Sequence, residues 1–291
     1  MMDKTKINCI EKLLNNKKIV FSKLLSGSFG INCHILRTED KRNYIVKYSR
    51  STNKKFNAIN SETKNLIFLN NSKLNFFPKV INNDDDHLIM SYIYNNGMQP
   101  NQTNDDFLKA IVSLHSLNND KYGFVFDTQI GGLKQINEFN DNWVNFYGEK
   151  RLAYIFNLIN SSNQMDNLIN KKIELLLKNL HNFIPNKPIA SLLHGDLWEG
   201  NILFNNKNFV SFIDPGSFYG HNELEIAYLR WFNPKFIGKN FLEKYNDIIK
   251  LNKEYLNYEP IYQLYYSLLN VYLWDRKYVL DVEKLINKIK I

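Results

Sequence analysis

A two-lobed α+β fold is predicted, with a small antiparallel sheet and one helix in residues 1–93 and a larger, mainly helical part in residues 94–291. Three observations predict it. Short β-type runs separated by turn residues fill the first part. Apolar residues at helical spacing dominate the second. Asn95-Asn96-Gly97 breaks the pattern between them and puts the junction near residues 92–98. A chain of 291 residues can bury a substantial core. Its 44% hydrophobic and 23% charged residues are those of a globular protein, which excludes disorder as the default.

Ile7, Ile10, Leu13 and Leu14 recur at helical spacing and predict a short amphipathic helix within residues 7–18. Ile19-Val20-Phe21 and Asn32–Arg37 read as strands flanking Ser26-Gly27-Ser28-Phe29-Gly30. Two glycines so close let the backbone turn its N–H groups toward a phosphate, although a plain Gly-Ser hairpin explains the same residues. Residues 39–43 turn into Tyr44–Tyr48, a strand with Lys47 near its end. Residues 61–71 are helical, with Leu66, Ile67 and Leu69 apolar and Glu62 in the first turn, where an acid also suits the helix dipole. Phe76–Ile81 and His87–Ile93 predict two more strands around Asp84-Asp85-Asp86, a cluster that reads as a solvated turn.

Thr103 can cap a helix carrying Phe107, Ile111, Leu114 and Leu117 on one stripe. His115 on that helix reads as a packed or surface residue. Tyr122–Asn142, with Gly123, Gly131 and Gly132, reads as a long loop. Trp143–Ile159, Met165–Phe183, His221–Phe232, Phe241–Tyr258 and Ile261–Tyr278 are helical, and their aromatic content reads as core packing.

The formal net charge of +8 would suit an anionic partner, but the lysines are spread without a basic block. A solvated basic surface follows, and nucleic-acid binding is not expected. Cys9 and Cys33 form no CxxC pair and no Cys/His metal spacing, which argues against a zinc site or a disulfide framework. The N-terminus lacks the apolar core of a signal peptide, and no apolar run approaches the ~20 residues of a membrane span. A cytoplasmic protein without a membrane partner is expected.

The residues that carry chemistry are His194-Gly195-Asp196-Leu197-Trp198-Glu199-Gly200-Asn201, followed by Phe212-Ile213-Asp214-Pro215. Ile202–Phe204 and Phe209–Ile213 are β-type runs with turn-like residues 205–208 between them, which predicts a hairpin. A four-residue loop pairs Phe204 with Phe209 and sets Asn201 opposite Phe212. Asn201 and Asp214 then share one face, with Cβ atoms within roughly 7–8 Å. Two oxygen donors at that separation can share a hard cation, with Asp196 in the loop before them. A slip of one residue would turn one donor to the other face. Each carboxylate alone passes as an ordinary turn residue, but that leaves the joint spacing unexplained.

An Asp, an Asn five residues on and a second Asp ending an apolar run is similar to the catalytic spacing of protein-kinase-like phosphotransferases. Within that fold the chain resembles the fructosamine kinase (ketosamine kinase) family, in the aminoglycoside-phosphotransferase-like branch, along nearly its whole length. LLHGDLWEGN (Leu192–Asn201) includes the tryptophan that most aminoglycoside and choline kinases lack. FIDPGSFYGHNELEIAYL (Phe212–Leu229), YGFVFDTQIGG with NDNWVNFYGEKRL (Asn140–Leu152), and IYQLYYSLLNVYLW near the C-terminus resemble three further family segments.

The resemblance implies an ATP-dependent kinase that phosphorylates the 3-hydroxyl of ketosamines, on a small molecule or a glycated protein. It implies Asp196 as the base, Asn201 and Asp214 as Mg²⁺ ligands, and Lys47, held by Glu62, on the α/β-phosphates. Ser28, Phe29 and Gly30 would cover the phosphates, Ser91, Tyr92 and Ile93 would line the nucleotide, and Trp198 would pack against the sugar. Gly216, Phe218 and Glu225 depart from the family pattern without removing a catalytic group. Gly30 stands where several members carry a cysteine used in redox pairing, and Cys33 lies three residues later. That argues against a redox-switched dimer, and a monomer or weak dimer is expected. The alternatives are a kinase of the same fold for an aminoglycoside- or choline-like amine, and a pseudokinase that only binds nucleotide.

Overall fold

The computed structural model describes residues 2–49 and 56–290. In chain order the first elements are α1 (Lys4–Leu13), β1 (Ile19–Ser28), β2 (Ile31–Thr38), β3 (Asn43–Ser49), α2 (Ala58–Asn71), β4 (Val80–Asn83), β5 (His87–Ser91) and α3 (Asp105–His115). Next come β6 (Asn118–Asn119), β7 (Thr128–Ile130), β8 (Leu133–Gln135), α4 (Trp143–Tyr147), α5 (Tyr154–Asn163), α6 (Asn167–Asn179) and β9 (Ala190–Leu193). The chain ends with β10 (Ile202–Asn205), β11 (Asn208–Phe212), β12 (Phe218–His221), α7 (Asn222–Phe232), α8 (Phe241–Ile248), α9 (Tyr255–Leu273) and α10 (Val279–Lys288).

These elements form two compact units. The first contains Met1–Met98, Thr128–Lys134 and Asn201–Gly216; the second contains Gln99–Asp127, Gln135–Gly200 and Ser217–Ile291. The chain therefore leaves the first unit after Met98 and returns to it twice.

The first unit is built on a five-stranded sheet in the order β1-β2-β3-β5-β4, antiparallel at every pairing. β3 is central and mostly buried, as its run of Tyr44, Val46 and Tyr48 requires. Ile10 of helix α1 and Leu14 just past its end pack in one core with Leu36, Val46, Tyr48 and Ile89. The helix starts earlier than its apolar period indicates because Asp3 caps it, accepting from the N–H of Lys6. It stops at Leu13 because Asn15 and Asn16 turn left-handed. Asn57 caps α2 in the same way, so Glu62 lies one turn deeper in that helix than its pattern suggests. Phe76 and Phe77 belong to no strand. Their rings pack against Phe212, and the Phe76 carbonyl accepts from the N–H of Phe212 at 2.9 Å, which spends that carbonyl on the β10–β11 hairpin.

In the second unit, the N-terminal cap of α3 is Asn104, which accepts from the N–H of Phe107, while the Thr103 hydroxyl donates to Ile237. The segment Tyr122–Asn142 is not the open loop its glycines suggest. Tyr122 pairs with Asn140 and Gly123 with Tyr219 through backbone hydrogen bonds, and β7 and β8 lie within it. Helices α4 and α5 are joined by a wide turn at Gly148–Ala153, which delivers the buried Arg151 to Ile136 O, to Asn137 Oδ1 and over the ring of Phe218 at 4.0 Å. Trp143, Phe146, Tyr147, Phe218 and Tyr262 form the aromatic centre of this core. The break between α8 and α9 falls at residues 249–254, and Pro260 is accommodated inside α9 at the loss of one helical hydrogen bond. No helix among the described residues is long and apolar enough to cross a membrane.

Gly123 has φ +117°, and a Cβ there would stand 2.5 Å from the carbonyl oxygen of Asn137. Both the backbone region and the close approach require glycine. Gly123→Ala is therefore expected to lower stability by more than about 1 kcal/mol in urea unfolding, beyond the entropy gain of an ordinary Gly→Ala change.

Candidate functional site

In the first unit the sheet and α2 bring two distant residues together. Lys47 sits on β3 with its side chain buried, and Glu62 on α2 is fully enclosed. Lys47 Nζ donates to Glu62 Oε1 at 2.7 Å and Oε2 at 3.0 Å. It also donates to Asp214 Oδ1 at 2.6 Å, from a residue 167 positions further along. Burial alone would depress the Lys47 ammonium, but Asp214 and Glu62 outweigh it and push its pKa up, so the lysine stays charged. Burial first, and then Asp214, push the Glu62 carboxyl up to about 7 against the pull of Lys47. One ammonium faces two carboxylates, and the cluster carries surplus negative charge.

Asp214 reaches Lys47 through an irregular hairpin. Phe204 pairs with Phe209 as the sequence predicts, but the turn is only Asn206-Lys207, both left-handed as a tight two-residue hairpin needs. Val210 is then skipped, so that Ile202 rather than Asn201 stands opposite Phe212. Asn201 accepts instead from the N–H of Ile213 at 3.0 Å, one residue out of the expected register. Strand alternation ends at Asp214, whose φ of 56° costs an L-residue roughly 1–2 kcal/mol. The hairpin is tied down by Gly97 N–H to Phe204 O and Lys207 N–H to Met98 O, all within the first unit. Asn201 is buried, and Asp214 keeps 39% of its side chain exposed.

Ser28, Phe29 and Gly30 form the turn between β1 and β2, with Phe29 and Gly30 both left-handed. Ser91 ends β5, where its hydroxyl accepts from the N–H of Lys79; Tyr92 and Ile93 continue as half-buried chain. Cys33 pairs across the strands with Lys47, and burial pushes its thiol up to about 11, which makes it a poor nucleophile.

Asp196 and Trp198 lie in the second unit, in the loop after β9. Asp196 is half-buried, and Tyr228 on α7 donates its hydroxyl to Oδ1 at 3.4 Å. Burial and then Asp196 push Tyr228 well above its ordinary pKa, so it remains a donor. Its ring stacks on Tyr266 with centroids 3.6 Å apart. Trp198 packs on Phe232 at 5.9 Å, and a Cβ on Gly200 would lie 2.4 Å from the indole, so glycine is needed where the ring crosses the chain.

Glu225 holds the loop itself. Its fully buried carboxylate accepts from the N–H of His194 at 3.0 Å and of Gly195 at 2.8 Å, and from His115 Nε2 at 2.9 Å, while His115 Nδ1 meets the Tyr245 hydroxyl. Burial would raise Glu225, but the His115 hydrogen bond, the charge of His115 and His194 and the His194 N–H bring it below its ordinary value. The sequence reading did not single out Glu225, His115 or Tyr228 for this site. The available signal was an acid flanked by Leu224, Ile226 and Ala227 on a helix, a pattern that buries a carboxylate only when donors await it.

Several known proteins resemble this chain. The fructosamine kinase family model matches residues 1–291. A probable ketoamine kinase of Enterococcus faecium is 32% identical over 185 residues, 62% of this chain and 65% of that protein. The chloroplastic protein-ribulosamine 3-kinase of Arabidopsis thaliana is 32% identical over 195 residues, 66% of this chain and 58% of its own length. These matches thus span less than two thirds of either relative. A solved structure from Haemophilus somnus, described as a candidate fructosamine-3-kinase, superposes with a TM-score of 0.83 at 24% identity, covering 98% of this chain and 97% of that one. The protein-kinase-like α+β fold is thereby shown.

The Glu225 carboxylate has a depressed pKa, so its stabilisation is complete above its ordinary value of 4.5 and is lost as pH falls through the lower folded value. Glu225→Gln is expected to cost about 2–4 kcal/mol at pH 7. It should also flatten the fall in stability as pH drops below the ordinary value of 4.5, as read by urea midpoints across that range.

Proposed function

Because the chain belongs to the fructosamine kinase family, we propose that it is a cytoplasmic ATP-dependent kinase that phosphorylates the 3-hydroxyl of ketosamines, free or on glycated proteins. The observation that carries this reading is the buried Lys47 held between Glu62 and Asp214. Phosphoryl transfer asks for positioning and charge neutralisation, and a lysine fixed by carboxylates supplies a charge at a defined place.

In this reading the sugar hydroxyl oxygen attacks the γ-phosphorus, the bond from that phosphorus to the ADP oxygen breaks, and the hydroxyl proton passes to Asp196. Asp196 orients the hydroxyl and accepts its proton late, so geometry matters more than a raised pKa. Tyr228 donates its hydroxyl to one oxygen of that carboxylate and so helps to orient it. Lys47 takes the α/β-phosphates, with Glu62 keeping the ammonium charged and aimed. The Ser28–Gly30 turn covers the phosphates with backbone N–H groups, Ser91, Tyr92 and Ile93 line the nucleotide, and Trp198 packs against the sugar.

The donor set suits a hard divalent cation. Asn201 and Asp214 offer oxygen atoms, and the cluster of two carboxylates around one ammonium has negative charge to spare. Mg²⁺ held there would neutralise charge on the phosphates. The monomer or weak dimer remains the proposed assembly.

Mg²⁺-dependent ADP release with fructosyl- or ribulosyl-lysine, run beside an aminoglycoside and choline, tests the reading. Turnover with the ketoamine alone is expected, and Asp196→Asn should lower kcat about 10²–10⁴-fold. Turnover on another amine would keep the kinase and discard the substrate. Binding of Mg·ATP without turnover on any of them would leave a pseudokinase. Trp198→Ala should weaken ketoamine use while nucleotide binding is kept; equal loss of both in a binding assay would remove the sugar-packing role.

A further inference from the structure

Away from these residues, the first unit brings together three side chains of metal-ligand type that the sequence keeps far apart. Cys9 lies on α1, and Asp84 and His87 lie at the β4–β5 turn; one ligand atom from each falls within 4.8 Å of the others. Asp84 Oδ1 stands 2.9 Å from His87 Nδ1, and Asp84 Oδ2 stands 3.1 Å from the same nitrogen and 3.9 Å from Cys9 Sγ. Around a tetrahedral zinc, with Zn–N and Zn–O near 2.0 Å and Zn–S near 2.3 Å, neighbouring ligand atoms lie about 3.3–3.5 Å apart. The observed separations bracket that value. We propose that Cys9, Asp84 and His87 form a structural site for a thiophilic divalent cation of the zinc class, completed by water and separate from the phosphoryl-transfer residues.

Two features of the surroundings bear on this occupant. The turn is already fixed, because Asp84 Oδ1 also accepts from the N–H groups of Asp86 and His87, so little ordering remains to be lost on binding. His87 is 94% buried by its 6% exposure, and its Nε2 has no hydrogen-bond partner among the described residues. Coordination through Nδ1 requires the ring proton to pass from Nδ1, which faces Asp84, to Nε2. Binding exchanges the Cys9 thiol proton for the ion and releases that proton to water. The mixed soft and nitrogen donors favour zinc over magnesium.

The ion would cross-link α1 to the edge of the sheet. His87 pairs across the strands with Tyr48, the residue after Lys47, so the link also steadies the strand that carries that lysine. Nothing in this site depends on which substrate the protein phosphorylates.

The full chain, stripped of metal with a chelator, is titrated with Co²⁺ as the probe. One equivalent should raise a near-ultraviolet thiolate-to-cobalt charge-transfer band and tetrahedral visible bands, both displaced by Zn²⁺. Cys9→Ala should abolish the charge-transfer band, Cys33→Ser should keep it, and His87→Gln should weaken binding by at least about tenfold. A band that survives Cys9→Ala, one that is lost with Cys33→Ser, or none at saturating Co²⁺ overturns the proposal. A second measurement on the wild type needs no variant to fold. Zn²⁺ should protect Cys9 but not Cys33 from alkylation, read by peptide mass spectrometry, and Cys9 alkylation unchanged by Zn²⁺ overturns the site equally.

Discussion

The first unit depends on one buried ammonium. Lys47 would be costly to enclose alone, and the sheet tolerates it because Glu62 and Asp214 both accept from it. The consequence runs through three segments: β3 must be central to bury the lysine, α2 must be set so that Glu62 reaches it, and the β10–β11 hairpin must bring Asp214 to the same atom. Two acids around one cation do not balance, and the Glu62 carboxyl is raised by burial first and then by Asp214. A structure tuned only for stability would be better served by one carboxylate or by none. A site that receives phosphates and a divalent cation has a use for a lysine already charged and for acidic oxygens in surplus.

The second unit solves a related problem with backbone donors. The loop that carries Asp196 has N–H groups turned inward at His194 and Gly195, and the buried Glu225 accepts both. His115 and Tyr245 extend the network, so the loop is anchored to α3, α7 and α8. Tyr228 comes from the same helix as Glu225, one turn on, which couples the orientation of the Asp196 carboxylate to the anchoring of its loop.

Much of this was legible in the sequence where a period or a cap speaks locally. The five strands of the β1-β2-β3-β5-β4 sheet were each signalled, and the Lys47–Glu62 contact was implied by the family resemblance. What escaped was set by tertiary demands. Phe76 and Phe77 have strand composition, yet their rings and a carbonyl serve the hairpin. The hairpin register slipped because Val210 bulges, an event no alternation pattern reveals, and the left-handed Asp214 ends the alternation there. Tyr122–Asn142 looked open because its glycines are turn formers, but at Gly123 the glycine serves a close backbone approach. Glu225 was visible only as a departure from a family pattern, since its partners are backbone groups that have no residue type. Cys9 and His87 have no metal spacing at all and meet only because α1 crosses the sheet beside the β4–β5 turn.

The most direct test of the central interaction is a double-mutant cycle on nucleotide-free protein, combining Lys47→Met with Glu62→Gln and reading stability by urea unfolding. A shared buried charge predicts that the two changes are strongly non-additive, with a coupling of about 1–3 kcal/mol. Additive losses within about 0.5 kcal/mol would mean that Lys47 and Glu62 do not hold each other in solution, and would contradict the account.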